Sequence, residues 1–280
     1  MLKNITLGQY YPVDSPIHRL DPRVKILLAI AMIVAVFLVK TLAGYALILL
    51  FVFLVSKLAK VPFKLLVKGL KPLRFILILT FLLNLFFTNP ADSDALVSWS
   101  FIRISTAGLH QAIFFSLRLI FLVLATSLLT LTTSPIQLSD GMELLLSPLK
   151  VIHFPAHELA MMMSIALRFI PTLLEETDKI MKAQMARGAD FESGNLIKRA
   201  KAMVPLLVPL FVSAFRRAGD LAMAMEARCY HGGKGRTRLR VLKLTPDDAL
   251  AALAVAALIM LIIAERTVFP GGIVIGRFSL

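Results

Sequence analysis

The stretch VKILLAIAMIVAVFLVK, residues 24–40, has the length and apolarity of a membrane-spanning helix. A helix crosses the hydrocarbon core of a bilayer with about 20 mainly apolar residues, and tilting accommodates shorter or longer runs. Further windows of this character lie at 42–56, 73–88, 113–132 and 248–264. Of all residues, 58% are hydrophobic, against roughly 45 to 50% in soluble domains. The sequence therefore predicts an all-α membrane protein.

The predicted bundle has about five to six transmembrane helices. The windows 42–56 and 73–88 are short for spans. A sixth stretch, LAMMMSIALRFIPTLL at 159–174, contains an arginine and a proline. It is compatible with an interfacial, a re-entrant or a spanning segment.

The distribution of Lys and Arg predicts the orientation, because cytoplasmic loops carry the positive excess. The segment up to residue 25 has four of these residues, the 57–74 loop has six, and 133–247 has sixteen. The first turn has only Lys40 and the 88–112 loop only Arg103. We therefore expect a multi-pass protein of the cell membrane with its N-terminus in the cytoplasm.

This orientation divides the chain into three predicted parts. Residues 1–132 hold membrane helices 1–4, residues 133–247 form cytoplasmic coupling helices that are partly interfacial, and residues 248–280 hold the last span and the tail. The last span opens with Thr245, Pro246, Asp247 and Asp248, which are helix-start residues.

About three helices are predicted within the middle part. The first starts at Ser134 and Pro135, or at a capping box from Asp140 to Glu143, and ends near Pro148. The second follows FPAHE (154–158) and ends at Gly188. The third runs from about Leu196 to Arg228.

The second and third of these helices end in similar ways: Ala186, Arg187 and Gly188 close one, and Ala227, Arg228 and Cys229 close the other. An arginine in a last turn has an ordinary role, because it complements the negative end of the helix dipole. Its guanidinium also presents a rigid fork to carboxylates. Methionines, which fill irregular apolar grooves, precede both ends: Met181, Met185, Met223 and Met225. The pattern predicts two helix ends that dock into grooves of a partner, and hence a two-subunit or pseudo-symmetric partner.

Several long blocks, in chain order, resemble the transmembrane (T) component of energy-coupling factor transporters. They are SPIHRLDPRVKI, LKPL, LTLTTSPIQLSDGMELLLSPLK, HELAMMMSIALRFIPTLLEETDKIMKAQMARGADF, VPLLVPLFVSAFRRAGDLAMAMEAR and GGKGRTR. The resemblance implies a non-catalytic subunit without a cofactor. It implies partnership with two cytoplasmic ABC-type ATPase subunits, each of which receives one Ala-Arg-Gly motif, and with a substrate-binding S component in the membrane. The likeness is closest to the shared form, which serves vitamin-binding S components. A dedicated cobalt or nickel T component is the alternative.

The second motif departs from the family pattern at Cys229, where glycine is usual. A left-handed cap costs more for cysteine than for glycine. Either the helix continues to Gly232 or Gly233, or the motif tolerates a small side chain.

Other chemistries receive little support from the residues. The net charge of +14 is explained by topology and lipid headgroups rather than by nucleic acid. HELAM at 157–161 has Met161 where a zinc-binding H-E-x-x-H has histidine, and we expect His157 to start a helix or lie at an interface. No phosphate-binding G-x-x-x-x-G-K-[ST] occurs. Arg118 lies within the fourth window. It makes a polar contact in the bundle or to the S component, or it snorkels, or the boundary of the span is misplaced. An unrelated membrane enzyme or channel remains the alternative class.

Overall fold

A computed structural model describes residues 10–87, 95–99, 102–152, 154–191, 195–232, 242–268, 274–275 and 278–279. The helices are α1 Pro16–Arg19, α2 Pro22–Leu38, α3 Leu42–Leu58, α4 Phe63–Lys68, α5 Arg74–Phe87, α6 Thr106–Thr132, α7 Pro135–Leu146, α8 Ala156–Ala186, α9 Leu196–Glu226 and α10 Pro246–Val268. Short 3-10 turns cover Lys71–Leu73 and Ser147–Ile152. Two antiparallel strand pairs join β1 Ala95–Trp99 to β2 Ile102–Ser105, and β3 Val274–Ile275 to β4 Phe278–Ser279. The predicted all-α class is confirmed, although the hairpin β1–β2 lies in what the sequence predicted as a loop.

The chain forms two compact units. The bundle unit comprises residues 9–141 and 242–280, and the arm unit comprises residues 142–241. In the bundle unit, α6 packs against α5 and α2, and α10 packs against α2 and α3. In the arm unit, α8 packs against α9.

Five helical segments are long and apolar enough to cross a membrane: Phe63–Phe87, Gly108–Thr132, Ala156–Ala186, Lys201–Glu226 and Pro246–Thr267. Three of them coincide with predicted windows. The windows 24–40 and 42–56 correspond to α2 and α3, which are helices of 17 residues each. The arm helices α8 and α9 also have the length and composition of a span. The assignment of residues 133–247 to cytoplasmic coupling helices therefore stays a prediction.

The start of α7 decides between two sequence alternatives. Ser134 Oγ accepts a hydrogen bond from the Gln137 backbone N–H at 3.3 Å, and Gln137 Oε1 accepts from the Ser134 N–H at 3.1 Å. This reciprocal pair is a capping box. The helix therefore begins at Pro135, and the alternative start at Asp140 is wrong.

Buried polar groups connect the first turns of α2 and α10. Asp21 caps α2 by accepting from the Arg23 N–H at 2.9 Å, as the sequence predicted. The Asp248 carboxylate accepts from the Asp21 N–H at 2.7 Å and from the Thr245 N–H at 2.7 Å. The Thr245 hydroxyl also donates to Asp248, at 2.8 Å. The Asp248 carboxylate therefore caps α10 by reaching back to Thr245.

A buried lysine joins three helices at the same end of the bundle unit. Lys25 Nζ donates to the carbonyl oxygens of His18 and Thr132, both at 3.0 Å. The Thr132 carbonyl belongs to the last turn of α6, which leaves such groups without an intrahelical partner. The ammonium group therefore satisfies the end of α6 and fixes it to α2.

Arg118 on α6 makes its contacts within the bundle unit. Its guanidinium carbon lies 5.3 Å from the ring centroid of Phe37 and 5.5 Å from that of Phe115. These distances suit cation–π attraction, which is stronger where water is excluded. Of the predicted alternatives, the structure supports a contact inside the bundle.

Some predictions concern residues outside the described ranges. They include the N-terminal residues 1–9, most of GGKGRTR at 232–238 and most of the tail after 268.

Candidate functional site: two arginine tips

The first tip is the C-terminal end of α8, where Ala186, Arg187 and Gly188 are all exposed. Gly188 has φ +87°, and the Ala189 N–H donates to the Gln184 carbonyl at 3.0 Å. A left-handed residue followed by this six-to-one hydrogen bond is a Schellman cap. Glycine adopts the conformation without a Cβ penalty, so the sequence itself ends the helix here.

The second tip is the C-terminal end of α9, where Ala227, Arg228 and Cys229 are also exposed. Cys229 has φ +54°, and the Tyr230 N–H donates to the Met225 carbonyl at 3.0 Å. The helix stops at Glu226. Cysteine therefore takes the place of the capping glycine, and continuation to Gly232 or Gly233 is excluded.

The two tips have the same backbone hydrogen bonds. The backbone N–H groups of Arg187 and Arg228 each donate to the backbone carbonyl three residues earlier, at 3.0 and 3.1 Å. The next residue in each tip does the same, at 2.9 Å for Gly188 and 2.8 Å for Cys229. Each arginine therefore occupies the same position relative to its cap, although the side chain at the left-handed position differs.

The arginine side chains of the tips have no carboxylate within ion-pair distance among the described residues. A guanidinium carries five N–H donors in a fixed planar arrangement. Both groups are thus available to carboxylates or carbonyls of another molecule.

The methionines beside the tips differ in arrangement. Met181 and Met185 lie four residues apart and share one face of α8, with Met185 48% exposed. Met223 and Met225 lie two residues apart, and side chains at this spacing do not share a face. Met223 is 63% exposed while Met225 is partly buried. A continuous methionine face is therefore present beside the first tip only.

An ion pair links α8 to α9. Arg217 Nη2 donates to Glu176 Oε2 at 3.0 Å. Arg187 lies eleven residues after Glu176, and Arg228 lies eleven residues after Arg217. At about 1.5 Å per residue, each tip is about 16 Å along its helix from this contact.

Sequence reasoning missed the pairing of Glu176 with Arg217. The signal available was the presence of opposite charges at equal distances from two similar motifs. Such a pairing across helices becomes visible only when the two motifs are aligned with each other.

His157 lies in the first turn of α8, as predicted. Its Nδ1 atom lies 3.0 Å from Glu143 Oε1, so the imidazole joins the α7 end of the arm unit to α8. In the described part of the chain, His, Cys, Asp and Glu do not gather in groups of three or more that could hold a metal ion. His153, the neighbouring histidine, lies outside the described residues.

The chain is similar to membrane proteins of a transport family. The family model described as cobalt transport protein (CbiQ) matches residues 14–239, and five helices have the length and composition of spans. The chain is therefore a multi-pass membrane protein of a transport family. Relatives named energy-coupling factor transporter transmembrane protein are more than half identical to it over nearly its whole length, so the chain belongs to that family.

The relatives that carry this name cover nearly the whole chain. The Clostridium kluyveri protein named energy-coupling factor transporter transmembrane protein EcfT is 56% identical over 266 residues, which is 95% of this chain and 98% of the relative. The protein of the same name from Acidaminococcus fermentans is 55% identical over 270 residues, 96% of this chain and 100% of the relative. The Bacillus subtilis protein of this name is 52% identical over 262 residues, 94% of this chain and 98% of the relative. The resemblance inferred from sequence blocks is thus confirmed at the level of the family.

Proposed function

We propose that the chain is the non-catalytic coupling subunit of an ATP-driven importer of the energy-coupling factor type. In this function, two ABC-type ATPase subunits bind the arginine tips in the cytoplasm. Their ATP-driven movement passes through α8 and α9 to a substrate-binding S component in the membrane.

The equivalence of the two tips is the observation that carries this proposal. Arg187 and Arg228 are exposed, follow an alanine, and precede a left-handed residue in the same hydrogen-bonded cap. Two equal docking elements match a partner that has two equal or similar subunits. Because each arginine is held on the cap of a 31-residue helix, a movement imposed on the tip is transmitted along that helix.

The orientation follows from the positive-inside pattern, which gives a cytoplasmic N-terminus and cytoplasmic tips. We further propose the shared form of the family, in which the substrates are vitamins bound by exchangeable S components. The relatives' common name, which specifies no substrate, is compatible with this form.

A dedicated cobalt or nickel importer is the second candidate. The observation that favours it is the description of the matching family model as cobalt transport protein. Uptake of radiolabelled cobalt or nickel and of vitamins by cells that depend on this subunit separates the two candidates.

The direct test of the coupling function is the double variant Arg187→Ala with Arg228→Ala. The chain is co-expressed with its ATPase and S subunits, purified through a tag on the chain, and assayed for ATPase recovery and substrate uptake. The double variant should insert and elute as the wild type does, yet recover less ATPase and support less uptake.

The matched control is Lys182→Ala with Arg216→Ala, which removes two exposed positive charges from the same two helices. This control should retain both the ATPase and the uptake. Full ATPase recovery and normal uptake by the tip variant would refute the proposal. An equal loss in both double variants would show that net charge, rather than tip geometry, matters.

A further inference from the structure

An apolar cavity of about 440 Å³ lies in the bundle unit, among α1, α2, α3, α6 and α10. Ligand pockets in proteins commonly measure about 300 to 1,000 Å³. The polar residues that line this cavity are Lys25, Thr132 and Asp247. All three lie where α2 and α10 begin and α6 ends, so the cavity is polar at one end and apolar over the rest of its length.

The cavity follows the helices inward from this polar end. Its lining extends over eight or nine residues, or seven to eight helical rises, on each of four helices: Lys25 to Met32, Leu58 back to Phe51, Thr132 back to Ala125, and Asp247 to Val255. At about 1.5 Å per residue, the length is about 10 to 12 Å. One leaflet contributes about half of the roughly 30 Å hydrocarbon core, so the cavity spans most of one leaflet.

The cavity opens to the surface of the bundle unit beside three apolar lining residues. Leu54 is 50% exposed, Leu58 is 57% exposed and Leu250 is 71% exposed, and all three belong to the lining. A flexible hydrocarbon chain fits both the length and the volume.

Two lysines flank the open side at the polar end. Lys57 directly precedes Leu58, and Lys60 follows it by two residues. Both side chains are exposed, and within the described ranges neither has a carboxylate at ion-pair distance. Two carboxylates lie near this end: Asp14, which pairs with Arg19 at 2.6 Å and is within electrostatic range of Lys60, and the lining residue Asp247. The three cations Arg19, Lys57 and Lys60 outnumber these two carboxylates, so the net charge beside the opening is positive, which suits a phosphate group.

We propose that this cavity is a binding site for one phospholipid, whose acyl chain occupies the apolar part and whose phosphate lies at Lys57 and Lys60. The polar end, the length of one leaflet, the opening beside apolar residues and the exposed cations each match a part of that molecule. An anionic headgroup adds attraction at the lysines, so the site prefers phosphatidylglycerol to phosphatidylcholine. In the proposed orientation this lipid belongs to the cytoplasmic leaflet.

Native mass spectrometry of the purified full chain tests the site with added phosphatidylglycerol or phosphatidylcholine. Wild type should retain one phosphatidylglycerol with about fivefold higher occupancy than phosphatidylcholine, the preference expected from one to two surface cations. Ala254→Phe, which places a ring in the cavity lining, should lose the retained lipid. Ala252→Phe, on the same helix but outside the lining, should retain it.

The headgroup contact is tested by Lys57→Gln with Lys60→Gln, which should bind both lipids equally while still retaining a chain. Equal retention of the two lipids by wild type, or equal retention by the two phenylalanine variants, would overturn the proposal. Should Ala254→Phe fail to fold, Ala251→Phe offers a second lining position. The assay contains no ATPase, so its outcome is independent of the arginine tips.

Discussion

Arg217 Nη2 donates a hydrogen bond to Glu176 Oε2 at 3.0 Å, and this contact lies eleven residues before each arginine tip. It thereby fixes a point from which both ends of the helix pair are equally distant. The carboxylate and guanidinium are partly exposed, at 24% and 39%. Their attraction should therefore contribute only about 1 kcal/mol to stability. Because the contact crosses from α8 to α9, we expect it to favour the observed register of the two helices.

This ion pair predicts that reversing the charge of either residue lowers substrate uptake. Exchanging the two residues should lower uptake less. Glu176→Arg and Arg217→Glu should each lower substrate uptake by the assembled transporter, because like charges then face each other across the helices. The exchanged double variant should recover part of the uptake. Uptake by reconstituted complexes measures the effect, and a double variant no better than the single ones would show that the pair does not set the register.

The single cysteine of the sequence supplies a reporter at the second tip. Cys229 is exposed, and the chain has no other thiol. A membrane-impermeant maleimide should label it in inside-out vesicles and leave it unlabelled in right-side-out vesicles. Bound ATPase subunits should slow the labelling.

The control for sidedness places a thiol at the turn between α2 and α3. In a Cys229→Ser background, Lys40→Cys should show the opposite pattern, with labelling in right-side-out vesicles. Labelling of Cys229 from the outside would contradict the proposed orientation. Unchanged labelling in the assembled complex would contradict docking at Arg228.

The left-handed residues of the two tips predict stability changes of opposite sign. Gly188→Ala places a Cβ at φ +87°, where no other atoms lie within 4 Å, so its cost of about 1 kcal/mol comes from the backbone alone. Cys229→Gly removes such a cost at φ +54° but loosens the unfolded chain, for a net gain of about 0 to 1 kcal/mol.

Hydrogen exchange at the Ala189 and Tyr230 amides, which close the two caps, measures these changes locally. Exchange at Ala189 should accelerate in Gly188→Ala, and exchange at Tyr230 should stay the same or slow down in Cys229→Gly. Faster exchange at Tyr230 would show that the cysteine side chain itself stabilises the cap. Loss of ATPase recovery by Cys229→Gly would show that the thiol takes part in docking.

Helix ends were predictable because their signals are local. Asp21 with Pro22, Ser134 with Pro135 (one of two predicted starts), and Gly188 each satisfy or terminate backbone hydrogen bonds within a few residues of themselves. The reciprocal contact of Gln137 with Ser134 was not predicted. At Cys229 the sequence left two outcomes open, because the cost of a left-handed cysteine, about 1 to 2 kcal/mol, is comparable to the energy of a cap. The structure shows that the six-to-one hydrogen bond forms in spite of that cost.

Contacts between distant segments were beyond the reach of local signals. Lys25 looked like one of several basic residues at the start of a span, yet it is buried with carbonyl partners from α1 and α6. Glu176 and Arg217 are separated by 41 residues and meet only when α8 and α9 pack.

The hairpin of Ala95–Trp99 with Ile102–Ser105 did have a local signal, since both segments contain β-branched residues that favour strands.

Removal of the buried ammonium group should destabilise the bundle unit. Lys25→Met leaves the carbonyls of His18 and Thr132 without their donor. It also removes the positive charge that interacts with Asp248 and Asp21. We expect a loss of about 2 to 4 kcal/mol, measured by thermal unfolding in detergent. Lys40→Met, which removes an exposed lysine, should change stability by less than about 0.5 kcal/mol. Equal effects of the two would show that the Lys25 contacts do not stabilise the fold.

His18 should make the stability of the bundle unit depend on pH. Burial lowers the pKa of its imidazole below the ordinary value of 6.5, although a hydrogen bond to Tyr11 opposes the shift and the charge of Lys25 adds to it. The Nε2 atom lies 3.0 Å from the Tyr11 carbonyl oxygen, which only accepts, so Nε2 carries the proton. In the neutral ring Nδ1 then accepts from the Ser15 hydroxyl at 2.7 Å.

The pKa of His18 is lower in the folded chain than in the unfolded chain. As the pH falls below about 6.5, the unfolded chain therefore binds more protons than the folded chain. The contribution of His18 to stability is therefore complete above this pH and is lost as the pH falls toward the folded pKa. His18→Gln keeps a donor for Tyr11 but does not titrate. Thermal unfolding in detergent between about pH 8 and pH 5 should thus show wild type losing more stability than this variant below pH 6.5. The same loss of stability in wild type and His18→Gln would show that His18 does not control the pH dependence. A wild type that gains stability on acidification would show that the pKa of His18 is raised by folding, contrary to the prediction.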